Sequence, residues 1–113
     1  MIPAAKPGQA IIDRVGGYVG LAARARQVIS GGAMCRQALN SGKGHLIVLA
    51  EDVSESIRAR FAGLSQGKGV PMVIIGTKED LGRWVGKSAR SALLVRDVHL
   101  AGAILQVSTV VRS

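Results

Sequence analysis

Aromatic side chains are scarce: Tyr18, Phe61 and Trp84 are the only three among 113 residues. That excludes the stacking platforms on which single-strand-binding folds and RNA-recognition motifs seat successive bases. Cysteine is nearly absent as well. Cys35 stands alone, so an intramolecular disulfide is excluded and a reducing, cytoplasmic setting is expected. Two histidines, His45 and His99, share no metal-ligand spacing with each other or with Cys35, and no metal centre is expected. Apolar runs reach about five residues against the ~20 that span a bilayer, which argues against a membrane partner. No internal repeat or linker divides the chain, and its length suits one domain.

Acidic residues are the next shortage. Seven Asp and Glu face fifteen Lys and Arg, a net charge of +8. An excess of that size in so short a chain points to a polyanionic partner, because each neutralised phosphate releases condensed counterions. Residues 1–50 carry six basic side chains against one acid, Asp13, and the remainder carries nine against six. No run of Lys and Arg stands out, so the charge belongs to a folded surface and not to a basic arm. Hydrophobic residues make up 48%, enough for an ordinary core.

Residues 1–15 read as a flexible N-terminal tail without the apolar stretch and cleavage site of a secretory signal, and residues 16–113 as a single domain. Gly16-Gly17 opens a small-residue helix over residues 18–28, with Arg24 and Arg26 reaching water. Ser30-Gly31-Gly32 breaks it, and Ser30 is expected to cap a helix over residues 33–40. The pattern then alternates. Continuous apolar runs at residues 45–50, 70–75 and 91–96 read as strands covered on both faces. Pro71 lies near the start of its strand, where a missing donor does least harm. Between and after the strands, residues 54–67, 77–85 and 98–110 read as helices, the first carrying Ile57, Phe61 and Leu64 on one face. Strands alternating with helices predict a layered α/β sandwich.

Catalytic and cofactor chemistry is poorly supplied. Gly82-Arg83-Trp84-Val85-Gly86-Lys87-Ser88 imitates a phosphate-binding P-loop but has three residues between its glycines where the motif needs four, and its glycines flank a helix. Gly42-Lys43-Gly44 and Gly67-Lys68-Gly69 read as helix ends before strands, so no nucleotide cofactor is expected. Cys35, among Met34, Ala38 and Leu39, reads as a buried inert thiol. Glu51 and Asp52 could form an acid/base pair, but carboxylates between a strand and a helix more often favour the helix N-terminus.

Nucleic-acid recognition is better provided. Missing side chains at Gly31 and Gly32 let helix-start amides approach a phosphate or a base edge. Arg36 and Gln37 project from the next turn, and Gln pairs bidentately with a purine edge. Lys78, Lys87 and Arg90 fall on loops at strand ends. The alternative is that the two glycines merely separate two helices while the charges solvate the surface.

Taken in order, several short motifs resemble the kink-turn-binding ribosomal proteins of archaea and eukaryotes (large-subunit proteins seven-Ae and thirty-e), and more closely their short bacterial relatives encoded beside transcription-elongation and translation-initiation genes. The resemblance rests on Gly20-Leu21-Ala22-Ala23-Arg24-Ala25-Arg26, on Ser41-Gly42-Lys43 leading into Leu46-Ile47-Val48-Leu49-Ala50-Glu51-Asp52, on Val70-Pro71, and on Leu81-Gly82-Arg83. Gly86-Lys87-Ser88-Ala89-Arg90 is similar to the glycine–basic–polar–Ala–Arg loop of the bacterial branch. The resemblance implies a three-layer α/β/α sandwich with a mixed central sheet of about four strands, and binding to structured RNA. In the family a Gly-x-Asn-Glu-x-x-Lys helix start reads the tandem G·A pairs of a kink-turn, and a loop near the last strand covers the flipped-out bulge. The matching stretch here is Gly31-Gly32-Ala33-Met34-Cys35-Arg36-Gln37, with Ala33 and Met34 in place of the Asn and the acid and Gln37 in place of the Lys. Each lost base-edge contact should cost ~1–3 kcal/mol of discrimination, while phosphate attraction survives.

The expected function is therefore that of a non-enzymatic protein binding structured RNA, ribosomal or kink-turn-like, within a ribosome or transcription complex. Its expected site is Gly31, Gly32, Ala33, Arg36, Gln37, Lys78, Lys87, Ser88, Ala89 and Arg90. The alternatives are a protein-interaction module of such an assembly without RNA contact and, third, a small α/β enzyme using Glu51 and Asp52. The oligomeric state is left open.

Overall fold

In a computed structural model of the chain, residues 8–110 are described. Two strands explain the layering. β2 (Leu46–Leu49) and β4 (Ala92–Val95) are buried along their whole length, and their side chains alternate between two separate cores. Leu46, Val48, Leu93 and Val95 face one side, where they meet Val15, Val19 and Ala22 of α1 (Gln9–Arg24), Leu81 of α4 (Lys78–Trp84), and Ala101, Ile104 and Val107 of α5 (Val98–Val110). Ile47, Leu49, Ala92 and Leu94 face the other, against Cys35, Ala38 and Leu39 of α2 (Gly32–Asn40) and Phe61 of α3 (Glu55–Lys68). Side chains of period two with helices on both faces make the expected three-layer α/β/α sandwich. Phe61 is the one fully buried side chain of α3, and its burial is worth about 2–3 kcal/mol in holding that helix to the sheet.

The sheet has the order β1-β4-β2-β3, with β1 (Val28–Ser30) and β3 (Met72–Ile74) at its edges. β4 runs antiparallel to both β1 and β2, whereas β2 and β3 are parallel, so the sheet is mixed. That topology gathers the C-terminal ends of β1, β2 and β3 and the start of β4 at one end of the sheet. Two of the helices that follow these strands, α3 and α4, are capped there by side chains. Ser54 Oγ accepts the Ile57 amide at 3.2 Å to start α3, and Thr77 and Asp80 exchange backbone-to-side-chain bonds of 3.1 and 3.0 Å in a capping box at the start of α4. α3 ends on Gly69 with φ 67°, as expected of a glycine before a strand.

Four local expectations are corrected. Residues 9–15, assigned to the tail, form the first turns of α1, and Val15 is fully buried; the rest of that tail, residues 1–7, lies outside the described residues. Gly16 lies within this helix and does not open it. The Trp84 ring packs on it so closely that a Cβ would come within 2.6 Å of Trp84 Cε2. The helix also stops earlier, at Arg24, and residues 28–30 form edge strand β1. Finally, the residue before α2 is Gly31 and not Ser30, and no side chain caps that helix.

Candidate nucleic-acid interface

Gly31 leaves β1 with φ 101° and ψ 142°, a conformation closed to most L-residues, and its amide donates to Ala92 O of the neighbouring strand at 2.9 Å. The chain then turns directly into α2. A Cβ on Gly32 would sit 3.3 Å from Ser91 Oγ and 3.5 Å from an Arg36 guanidinium nitrogen, so helix tip, Arg36 and Ser91 are immediate neighbours. Ala33, Met34 and Gln37 are exposed on the first turns of α2, and Arg36 is half-buried.

A run of hydrogen bonds carries this end across the sheet. Ala50 N donates to Ser91 O at 2.9 Å, Glu51 N to Gly76 O at 2.7 Å, and Lys78 N to the Asp52 carboxylate at 2.8 Å. Arg90 N donates to Lys78 O at 3.0 Å, which joins the basic loop of residues 87–90 to the start of α4. The loop is built on Gly82: Lys87 N donates to Gly82 O at 2.8 Å, and the Ser88 backbone lies where a Cβ on Gly82 would be. Gly86 supplies the left-handed turn at φ 75°. Arg90 folds back over the loop, donating to Ser88 Oγ at 2.9 Å, Ala89 O at 3.1 Å and Ser88 O at 3.2 Å. Lys87, Ser88 and Ala89 remain exposed.

All ten expected site residues, from Gly31 to Arg90, therefore lie on elements at one end of the sheet. The sequence did not indicate how much negative charge shares that end. Glu51, Asp52, Glu55, Glu79 and Asp80 all stand on its turns and first helical turns. Several are occupied. Asp80 caps α4 and takes Arg83 at 2.8 Å, and the Thr77 amide, assisted by Arg83, holds its carboxyl below the usual carboxylate range. Asp52 fastens Lys78, and both it and Glu51 are exposed on an open turn, so Asp52 acts as a helix-start partner and not as half of an acid/base pair. Cys35 is buried beneath the tip, 3.4 Å from Ile29 O and 3.6 Å from Ala92 O, and burial pushes its thiol up to about 12. It is the inert core thiol the sequence suggests. Among the described residues, no three His, Cys, Asp or Glu side chains gather as a metal site, and no helix is long and apolar enough to cross a membrane.

The geometry defines a class: small α/β/α sandwiches that set an uncapped glycine helix start beside a pinned basic loop at one sheet end. Within that class the chain belongs to the ribosomal protein L7Ae/L30e/S12e/Gadd45 family, whose model matches residues 13–103, and the resemblance read from its motifs holds. A curated relative, the RNA-binding protein YlxQ of Bacillus subtilis (strain 168), is 29% identical over 89 residues, covering 79% of this chain and 89% of the relative. Among solved structures, a protein with unknown function from Bacillus halodurans superposes with a TM-score of 0.80 at 24% identity, covering 88% of this chain and 98% of that one. The 15.5kD RNA binding protein of Giardia lamblia gives 0.77 at 21% identity, covering 99% and 98%. At these identities the two structural likenesses concern the fold.

Proposed function

We propose that the chain is a non-enzymatic, cytoplasmic RNA-binding protein that takes structured RNA against the α2 tip and the loop of residues 87–90. The observation that carries this reading is the hydrogen-bonded continuity from Gly31 to Ala92, from Ser91 to Ala50 and from Glu51 to Gly76, and from Asp52 through Lys78 to Arg90. A helix start without a capping side chain keeps amide donors for an RNA oxygen, and its dipole favours negative charge. The loop adds Lys87, whose amide is fixed on Gly82 O, while the Arg90 bonds to Ser88 and Ala89 hold the residues that follow it. Relatives whose names describe RNA binding support the same reading. Ribosomal or kink-turn-like RNA is the proposed class, with weaker base discrimination than the family pattern because Ala33, Met34 and Gln37 replace its base-reading residues.

A titration tests it. Binding is measured to a kink-turn RNA, to the same RNA with its G·A pairs replaced, and to plain duplex, each at several salt concentrations. Tightest binding to the intact kink-turn supports shape-specific reading. Equal, salt-steep affinity for all three reduces the interaction to phosphate attraction. No binding at low salt overturns the proposal and favours a protein partner, for which Met34, 57% exposed on the helix tip, is the best anchor.

A further inference from the structure

The positive charge is not concentrated at the end just described. Of the seven acidic residues, five (Glu51, Asp52, Glu55, Glu79 and Asp80) stand at that end, where they offset much of the charge of Arg36, Arg58, Lys78, Arg83, Lys87 and Arg90, Glu55 pairing with Arg58 directly. At the opposite end, β1 and β2 begin and β4 finishes. Arg96 N donates to Gln27 O at 2.7 Å there, and His45 N donates to Val95 O at 2.8 Å. The sheet register therefore continues past its ladders. Arg96 lies between the residue after Arg26 on one side and His45, two residues after Lys43, on the other. Neighbouring strands are ~4.8 Å apart, so these three chain segments span about 10 Å. Arg26, Lys43, His45 and Arg96 are all exposed. The one acid on these turns, Asp97, is half-buried and spends an oxygen on the Leu100 amide at 2.8 Å, starting α5.

Arg26 has a further peculiarity. The bonds Arg26 N to Ala23 O (3.0 Å) and Gln27 N to Ala22 O (2.8 Å) form the double closure of a helix end whose next residue is usually glycine. Here Arg occupies that position at φ 60°, the only non-glycine residue with positive φ among those described. A charged side chain stands where backbone sterics favour none. Helix polarity accounts for cations at the ends of α1 and α2, but Arg96 follows a strand and owes nothing to it.

We infer that this opposite end, through Arg26, Lys43 and Arg96, is a second nucleic-acid surface that grips the phosphate backbone of an RNA duplex without reading its sequence. The protein then holds two RNA segments at once, one at each end of its sheet. The test uses the full chain and a plain RNA duplex of about two helical turns, followed by fluorescence anisotropy across a salt series. The triple variant Arg26→Gly, Lys43→Ser, Arg96→Ser is expected to lose at least tenfold in duplex affinity at low salt and to flatten the log–log salt dependence by roughly two to three charges. Its preference for kink-turn RNA over duplex should persist. Arg26→Gly alone keeps the fold, with a melting temperature at or above that of the unaltered chain, and should still lose severalfold in duplex affinity. Duplex binding by the triple variant with unchanged affinity and slope overturns the inference, as does failure of the unaltered chain to bind duplex at low salt. A Lys78→Ala, Lys87→Ala variant measured on the kink-turn RNA reports separately on the first surface.

Discussion

Gly82 sits inside a helix, where alanine is ordinarily preferred by ~1 kcal/mol, yet the structure leaves no room for a methyl group. The Ser88 carbonyl and the Lys87 carbonyl oxygen, at 2.9 Å, occupy the space. Both are backbone atoms of the basic loop and cannot rotate away. Gly82→Ala should therefore destabilise the protein by about 1–3 kcal/mol despite its better helix propensity, because overpacking outweighs the propensity gain. It should also displace Lys87. Urea unfolding checks the sign: an unchanged or raised midpoint would show that the loop yields without cost. The same contact explains a misleading motif. Gly82 and Gly86 imitate a P-loop because one must admit a neighbouring backbone and the other must turn at φ 75°. Two separate steric demands produce the glycine spacing.

The helices at the site end owe their positions to their caps, and α4 has the most complete one. Its capping box makes stability depend on pH in a definite direction. The folded-state pKa of Asp80 lies below its ordinary value, so its contribution is present above the unfolded pKa and is lost as pH falls through the folded one. Asp80→Asn should cost about 1 kcal/mol near neutrality, and the two proteins should converge in stability once the carboxyl is protonated. Urea midpoints at about pH 7 and about pH 2.5 show whether they do; a constant gap would assign the effect to something other than the charge. Caps of this kind are legible in sequence: Thr77 and Ser54 stand before helices that begin one residue later. So are β2 and β4, whose continuous apolar runs record burial on both faces. What the sequence does not show is local structure settled by packing. β1 is a three-residue, half-buried edge strand too short to show a period. α1 runs through Gly16-Gly17 because Trp84, far along the chain, fills the space at Gly16. Neither fact has a signal in its own segment.

For the whole molecule, the net charge of +8 identifies a class of partner, but only the topology shows how that charge is divided. The mixed sheet brings Gly31, Lys78 and residues 87–90 to one end, as strand-end loops in an alternating α/β chain suggest. Most acids come to the same end, because helices start there and acids favour helix starts. Local pattern could therefore nominate the residues of the proposed seat but could not show that its field is mixed. A seat of this kind should depend on fitted geometry more than on bulk attraction.

Amide chemical-shift mapping on the full chain examines that seat residue by residue. On addition of a kink-turn RNA at moderate salt, the largest shifts should fall on Gly31, Gly32, Ala33 and residues 87–91. If those amides stay in place while the RNA binds, the helix tip and the loop are not where it sits.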